Sequence, residues 1–457
     1  MSELEKIKKI IPLTNKEISP TFCMAKWHHT TIYLQTGETH SCYHPAPHPI
    51  LLDEIEHNPS ALHNTAQKKH ERELMIRGKQ PGGCSYCWKI EAMGKDYVSD
   101  RHIKTASIYT PERLEEIKQG GSDYNVNPEY IEISFSNECN FKCGYCHPKA
   151  SSRYWKEIKD YGPYSQSTDH RQDIDWFKIY QSEEDNPYVE AWWKWWPEVS
   201  KTLNILRITG GEPLMHKSTW ELFDRLENDP KPHIQIEINS NLGIKTALVK
   251  KLVEKVNYLL SVNAIKSFKL YTSIDTWTKR AEYARHGLDL ELWEKNLDYY
   301  LSNTVLPVTF MITFNIFGVT SFNTLLEKIL EWRVKYSIDG GPQWQRIRFD
   351  TPHLKEPSIF DMNILPKDQF MPYMHSHLDF IKLNQDTTDR TKFTDLEYEK
   401  FKRVVDYMSS THYDNDKLIV ARKNFYAWFS EHDRRRETNL IETFPEMKDF
   451  WSLCKNS

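Results

Sequence analysis

Eight cysteines stand at 23, 42, 84, 87, 139, 143, 146 and 454 of this 457-residue chain, and the first seven form two sets within its first third. With no export signal in view, clustered thiols point to metal binding or redox chemistry rather than to disulfides. Cys139, Cys143 and Cys146, in NECNFKCGYCHP, have the spacing C-x3-C-x2-C. Three thiolates so close can hold three irons of a cubane [4Fe-4S] cluster and leave the fourth iron open for reaction, as an open position marks a catalytic zinc. The same triad could instead bind zinc with His147 as fourth ligand. The other set is Cys23, Cys42, Cys84 and Cys87. Alternation over 30–34 and a turn at Thr36-Gly37 predict a hairpin that draws Cys23 and Cys42 together, and GKQPGGCSYCW supplies a C-x2-C knuckle. Four thiolates suit a closed zinc site or a fully ligated [4Fe-4S] cluster, and spacing does not choose between them. His28, His29, His40 and His44 are near enough in sequence to replace a cysteine.

These ligands must be positioned by a scaffold, and the middle of the chain alternates short β-branched runs with longer amphipathic ones. Strands are predicted at 131–135, 204–208, 233–238, 268–274, 307–315 and 345–349, with helices at 220–227, 245–259, 290–301 and 322–336. Six βα units imply a parallel α/β sheet, an open (β/α)6 partial TIM barrel, with ligands at the C-terminal strand ends. The first end carries the Cys139 loop. The second, in LNILRITGGEPLM, carries Gly210, Gly211, Glu212 and Pro213, where paired glycines let backbone approach a ligand closely. Glycine is scarce, 16 in all, so this pair is informative. The third ends in Asn239, Ser240 and Asn241; the fourth in Ser273 and Asp275, followed by Arg285, whose guanidinium suits a carboxylate.

Three regions follow: a small cysteine-rich β-hairpin domain at 1–125, the barrel at 126–350 and a mainly helical covering region at 351–457. The tryptophans of VEAWWKWWPEV, in the long insert between residues 146 and 204, are expected to pack one helix face onto the barrel. Arg434, Arg435 and Arg436 are read as a solvated helix face, and Cys454 as a spare thiol near a frayed end. Sixty basic against 64 acidic side chains give a net charge of −4, which provides no global attraction for nucleic acid or anionic membrane. The longest apolar stretch, 305–319, is interrupted by Pro307, Thr309, Thr313 and Asn315 and is too short for a membrane span. The first residues, MSELEKIKKIIPLT, lack the pattern of a secretory signal, so a cytoplasmic location is expected.

C-x3-C-x2-C with an aromatic residue, Tyr145, before the last cysteine resembles the signature of radical S-adenosylmethionine (SAM) enzymes, and GGEP at 210–213 resembles their second motif. The resemblance implies a [4Fe-4S] cluster on Cys139, Cys143 and Cys146, with the amino and carboxylate groups of SAM on its open iron. It further implies Tyr145 along the adenine, Gly210, Gly211, Glu212 and Pro213 at the amino group, and Ser240, Asn241, Ser273 and Arg285 at ribose and carboxylate. Cys23, a tryptophan four residues on, Gly37, Cys42 and then G-x5-C-x2-C-W resemble the twitch domain, half of the SPASM module, which implies an auxiliary [4Fe-4S] cluster on Cys23, Cys42, Cys84 and Cys87. It precedes the barrel here, as in phage-encoded twitch-domain radical SAM proteins, which the chain also resembles at AEYARHGLDLELW and NFYAWFSEHDRRRETNLIETFPEM. The implied activity is reductive cleavage of SAM to a 5'-deoxyadenosyl radical that abstracts hydrogen from a peptide or small-molecule substrate. An external electron donor such as flavodoxin or ferredoxin would supply the electron. The contrasting reading is a non-catalytic zinc protein with an RNA-binding or assembly role; it leaves GGEP without a purpose.

Overall fold

The computed structural model describes residues 3–94, 98–165, 173–176, 178–337 and 345–457. Nine strands make one sheet: β1 (His29–Tyr33), β2 (Glu38–His40), β3 (His48–Pro49), β4 (Tyr130–Ser134), β5 (Ile205–Thr209), β6 (Lys231–Ser240), β7 (Ile265–Ser273), β8 (Val308–Met311) and β9 (Ile347–Asp350). Their spatial order is β3-β2-β1-β4-β5-β6-β7-β8-β9. From β4 to β9 every neighbouring pair is parallel. Parallel neighbours require crossovers, and helices such as Lys217–Asn228, Thr246–Ser261, Leu290–Asn303 and Gly318–Lys335 provide them. Their apolar stripes are what dock. On Thr246–Ser261 the buried residues are Val249, Leu252, Val253, Val256 and Leu259, one face of a 3.6-residue period. On the sheet, Leu206 and Ile208 of β5 and Phe268 and Leu270 of β7 receive them, all 0–1 % exposed. Each such side chain contributes about 1.5–3 kcal/mol by leaving water.

The hairpin at the N-terminus is built differently from the separate domain expected. Gly37, at φ +66°, turns β1 into β2, and the other edge of β1 pairs in parallel with β4 from His29↔Tyr130 to Tyr33↔Ser134. The sheet thus runs across the 125/126 boundary. An unpaired β4 edge would leave a row of open N–H and C=O groups, and β1 covers it. Strand β8 is also shorter than its sequence suggests, stopping at Met311, because the amide of Thr313 donates to the carboxylate of Asp275 at 3.0 Å instead of continuing the ladder.

Trp192, Trp195 and Trp196, on helix Pro187–Val199, are buried, while Trp193 lies half-buried and stacked on Phe135. Beyond the barrel, helices Lys367–Leu383, Asp395–Ser410, Asn415–Arg436 and Lys448–Lys455 share its apolar core, as in the contact of Phe401 with Phe314 and Phe322. Cys454 is not at a frayed end: it is buried in that core, and burial pushes its thiol up to about 12. No helix among the described residues is long and apolar enough to cross a membrane.

Candidate active site

Six parallel strands bring their C-terminal ends together, and the loops leaving them carry the residues singled out above. The loop after β4 holds Cys139, Cys143 and Cys146, with Cys143 buried and the other two half-buried. Donors are directed at the sulfurs: the Phe141 amide lies 3.4 Å from Cys139 Sγ, Asn241 Nδ2 3.9 Å from the same atom, and Arg285 Nη1 4.0 Å from Cys143 Sγ. Hydrogen bonds to cysteine sulfur favour the anionic ligand form. Burial works the other way, holding the Cys139 thiol well above its ordinary range and the Cys143 thiol up at about 12 in the protein alone. Metal ligation would deprotonate them outright.

The GGEP segment packs directly on this loop. A Cβ on Gly210, at φ +112°, would stand 2.3 Å from Ser134 Oγ, and one on Gly211 only 2.1 Å from the Glu138 carbonyl oxygen. The end of β4 and the loop that leaves it therefore demand the two glycines, a more local reason than the ligand approach expected of them. Backbone bonds complete the seam, Gly211 N to Ser136 O at 3.2 Å and Glu212 N to Glu138 O at 2.7 Å. Glu212 is fully buried and its carboxylate gathers three donors: Leu214 N at 3.1 Å, Ser240 Oγ at 2.8 Å and Asn241 N at 2.6 Å. Burial still raises its carboxyl to about 7, with those donors pulling it down. Pro213 starts the short 3-10 turn Pro213–Met215 and is buried.

Ser240 and Asn241 are thus occupied with Glu212. Asn241 further donates to Asn140 Oδ1 at 2.9 Å, tying the end of β6 to the cysteine loop. Ser273 is the last residue of β7 and is half-buried on the inner side of the sheet. Arg285 forms a buried ion pair with Asp275 at 2.8 Å, and its guanidinium lies 5.5 Å from the centre of the Tyr145 ring. Tyr145 itself donates to Asp275 Oδ2 at 2.5 Å and meets Phe360 edge-on. Buried polar atoms at this end without a protein partner include Arg285 Nε, Ser134 Oγ and Asn137 Nδ2. Buried polar atoms are ordinarily satisfied, so these fit a polar ligand held beside the thiol triad.

The other four cysteines, Cys23, Cys42, Cys84 and Cys87, line one cavity together with Lys26, His44, Arg101 and Lys104. Burial raises all four thiols, Cys23 to about 12 and Cys87 to about 11. Against it act the His44 amide on Cys42, the Lys26 ammonium on Cys84 and the Arg101 amide on Cys87. Of the four nearby histidines only His44 reaches this cavity, and its Nε2 is engaged by Asp100 at 2.9 Å. His147, the candidate fourth ligand of the other set, caps a 3-10 turn through Nδ1. Among the described residues, no group of three or more His, Cys, Asp or Glu side chains is placed to hold a single metal ion.

Two features escaped the sequence reading. One is the inner face of the sheet, where Glu132, Arg207, Glu237 and Lys269 stand in register on adjacent strands. Arg207 bonds Asn239 Oδ1 at 3.0 Å and stacks 4.2 Å from the Tyr271 ring centre. Closed βα barrels fill this space with branched apolar layers; here it is polar. A charged residue in the middle of each of these otherwise apolar strands was the available signal. The other is the Arg436–Glu157 pair. Arg435 and Arg436 are not solvated: their side chains are 3 % and 0 % exposed, and only Arg434 faces water. Arg436 bonds Glu157 at 2.8 Å and the Lys142 carbonyl at 2.6 Å, clamping the end of helix Asn415–Arg436 to the cysteine loop.

The family model of the Radical SAM superfamily matches residues 133–323. Two curated relatives are the GTP 3',8-cyclase of Desulforamulus reducens, 26% identical over 175 residues (37% of this chain, 46% of the relative), and that of Nautilia profundicola, 24% identical over 142 residues (30% and 36%). The chain spans less than half the length of either. Among solved structures, Streptococcus suis SuiB bound to precursor peptide SuiA aligns over 78% of this chain and 69% of SuiB, at 14% identity and a TM-score of 0.34.

Proposed function

The chain is a radical SAM superfamily enzyme with its superfamily domain at residues 133–323, and from that premise we propose that it cleaves SAM reductively and uses the radical on a polar substrate over the sheet's inner face. The observation that carries this reading is the convergence at one barrel end of the thiol triad, the buried Glu212 and the Tyr145–Asp275–Arg285 network. Cys139, Cys143 and Cys146 would hold a [4Fe-4S] cluster, whose chemistry is to deliver one electron to the SAM sulfonium and release methionine and a 5'-deoxyadenosyl radical. The protein's own part is orientation and exclusion of water. Glu212, bound to the amides of Leu214 and Asn241, fixes the GGEP edge against the triad. Arg285, with its Nε unsatisfied, offers a buried donor to a SAM carboxylate. Tyr145 stays beside the triad because Asp275 accepts a hydrogen bond from its hydroxyl.

The second cysteine set is read as the auxiliary [4Fe-4S] site of a twitch-like domain. Support comes from four thiols around one cavity with Lys26, Arg101 and Lys104, cations that suit an anionic cluster. Tyr43, adjacent to Cys42, donates to Tyr130 on the inner face at 2.6 Å, which links that site to the substrate space. The charged row of Glu132, Arg207, Glu237 and Lys269 favours a substrate with polar or charged groups, peptide or small molecule. The relatives' named nucleotide substrate is not carried over, since under half of each relative is matched. The test is anaerobic reconstitution followed by dithionite and SAM. Formation of 5'-deoxyadenosine supports the reading, deuterium transfer from labelled candidate substrates identifies the substrate, and a fully reconstituted protein that forms none refutes it.

A further inference from the structure

Helix Ser152–Tyr161 follows the cysteine loop, and Arg153, Lys156 and Lys159 lie on its exposed side at intervals of three residues. They line a groove of about 690 Å³ with Trp155, Tyr161 and Lys142. Lys142 belongs to the loop itself, between Cys139 and Cys143, so one wall of the groove is the backbone that carries the triad. Two other faces of the loop are packed against protein. A Cβ at Gly144 would strike Trp428 at 2.7 Å and Phe360 at 2.9 Å, and Gly211 is pressed against Glu138. Of the groove's two carboxylates, Glu157 is buried between Arg436 and Lys142 and Asp160 is paired with Lys156 at 2.7 Å, which leaves Arg153 and Lys159 in excess and the surface net positive.

We infer that this groove is the docking surface of a small acidic one-electron carrier protein that reduces the cluster held by Cys139, Cys143 and Cys146. The inference rests on the radical SAM reading of the barrel and names the partner of that site. One electron leaves the carrier's reduced cofactor and enters the oxidised cluster; the first is oxidised by one and the second reduced by one, with no bond made or broken. Complementary charge steers such encounters and raises their rate. A nucleic acid would also meet positive charge, but bases stack on open aromatic faces. Here the Lys159 ammonium lies 5.1 Å from the Trp155 ring centre and the Arg435 guanidinium 5.6 Å from that of Tyr161.

The test uses flavodoxin as probe and the triple variant R153E/K156E/K159E, with R153Q/K156Q/K159Q as a milder second variant, each checked by circular dichroism and iron content. Binding is read from anisotropy of the flavodoxin flavin, and SAM cleavage is driven in parallel by reduced flavodoxin and by dithionite. Charge reversal should weaken binding and flavodoxin-driven cleavage ~10-fold or more and flatten their salt dependence, while dithionite-driven cleavage stays at the wild-type rate. The glutamine variant should fall between. Unchanged binding in both variants overturns the proposal. So does tighter, charge-dependent binding of a fluorescein-labelled single-stranded RNA at equal salt. Wild-type protein that binds flavodoxin through these residues yet makes no 5'-deoxyadenosine with dithionite would fault the reading of the barrel and uphold the docking surface.

Discussion

Asp275 holds Arg285 against the cysteine loop: the ion pair is 2.8 Å long, both side chains are buried, and the other face of the guanidinium reaches toward Cys143 Sγ at 4.0 Å. The same carboxylate accepts from the Thr313 amide and the Tyr145 hydroxyl, so one acid gathers the ends of β7 and β8 and the cysteine loop. Removing it leaves a buried, uncompensated guanidinium. Asp275→Ala should therefore lower unfolding free energy by about 3–5 kcal/mol in urea titration. It should also weaken SAM binding, whereas a purely peripheral pair would leave SAM affinity untouched.

Loss of one triad thiol should separate the two cysteine sets. Reconstituted wild-type protein is expected to hold about eight irons per chain, and Cys143→Ala about four, with SAM cleavage abolished. Iron analysis and 5'-deoxyadenosine yield measure both. Four irons with one zinc in the wild type would make the N-terminal set structural.

Cys84→Ala removes a thiol from the other cavity and leaves the triad intact. Folded protein, verified by circular dichroism and residual cluster absorbance, should still cleave SAM without substrate but lose product formation. A variant that modifies substrate at the wild-type rate would remove the case for an auxiliary redox cluster.

Gly211→Ala tests the seam between the two motifs. Its Cβ would sit 2.1 Å from a backbone oxygen of the cysteine loop, an atom that cannot swing aside. Iron retention at the triad should drop while the far-UV spectrum is kept; unaltered iron binding would show that the loop can shift without consequence.

Glu157 predicts an acid dependence. Burial raises its carboxyl, but Arg436, Lys142 and Tyr164 outweigh that and hold it at about 2, against an ordinary value of 4.5. A lowered folded-state value means the stabilisation is complete above about 4.5 and is lost as pH falls toward 2. Glu157→Gln should cost about 3–5 kcal/mol at neutral pH by leaving Arg436 unpaired, and the difference from wild type should shrink in urea titrations across that acid window.

The parallel order of the barrel was legible in sequence because each βα unit is local: a β-branched run, an amphipathic run and a short connection are all visible within a few dozen residues. The clustering of the thiol triad was legible for the same reason, its three cysteines lying within eight residues, Cys139 to Cys146. What only tertiary structure decided are the relationships between distant residues. Nothing local in HTTIY tells that β1 pairs with β4, since an alternating strand looks the same beside any partner. The glycines of GGEP look like a ligand approach in sequence, yet the nearest obstacle to a side chain is the neighbouring loop. Arg435 and Arg436 look like a solvated run, because their burial depends on Tyr164 and Glu157 arriving from more than 270 residues away. Charge pairing, burial and close approach are properties of neighbours in space, and they emerge only when the chain is folded.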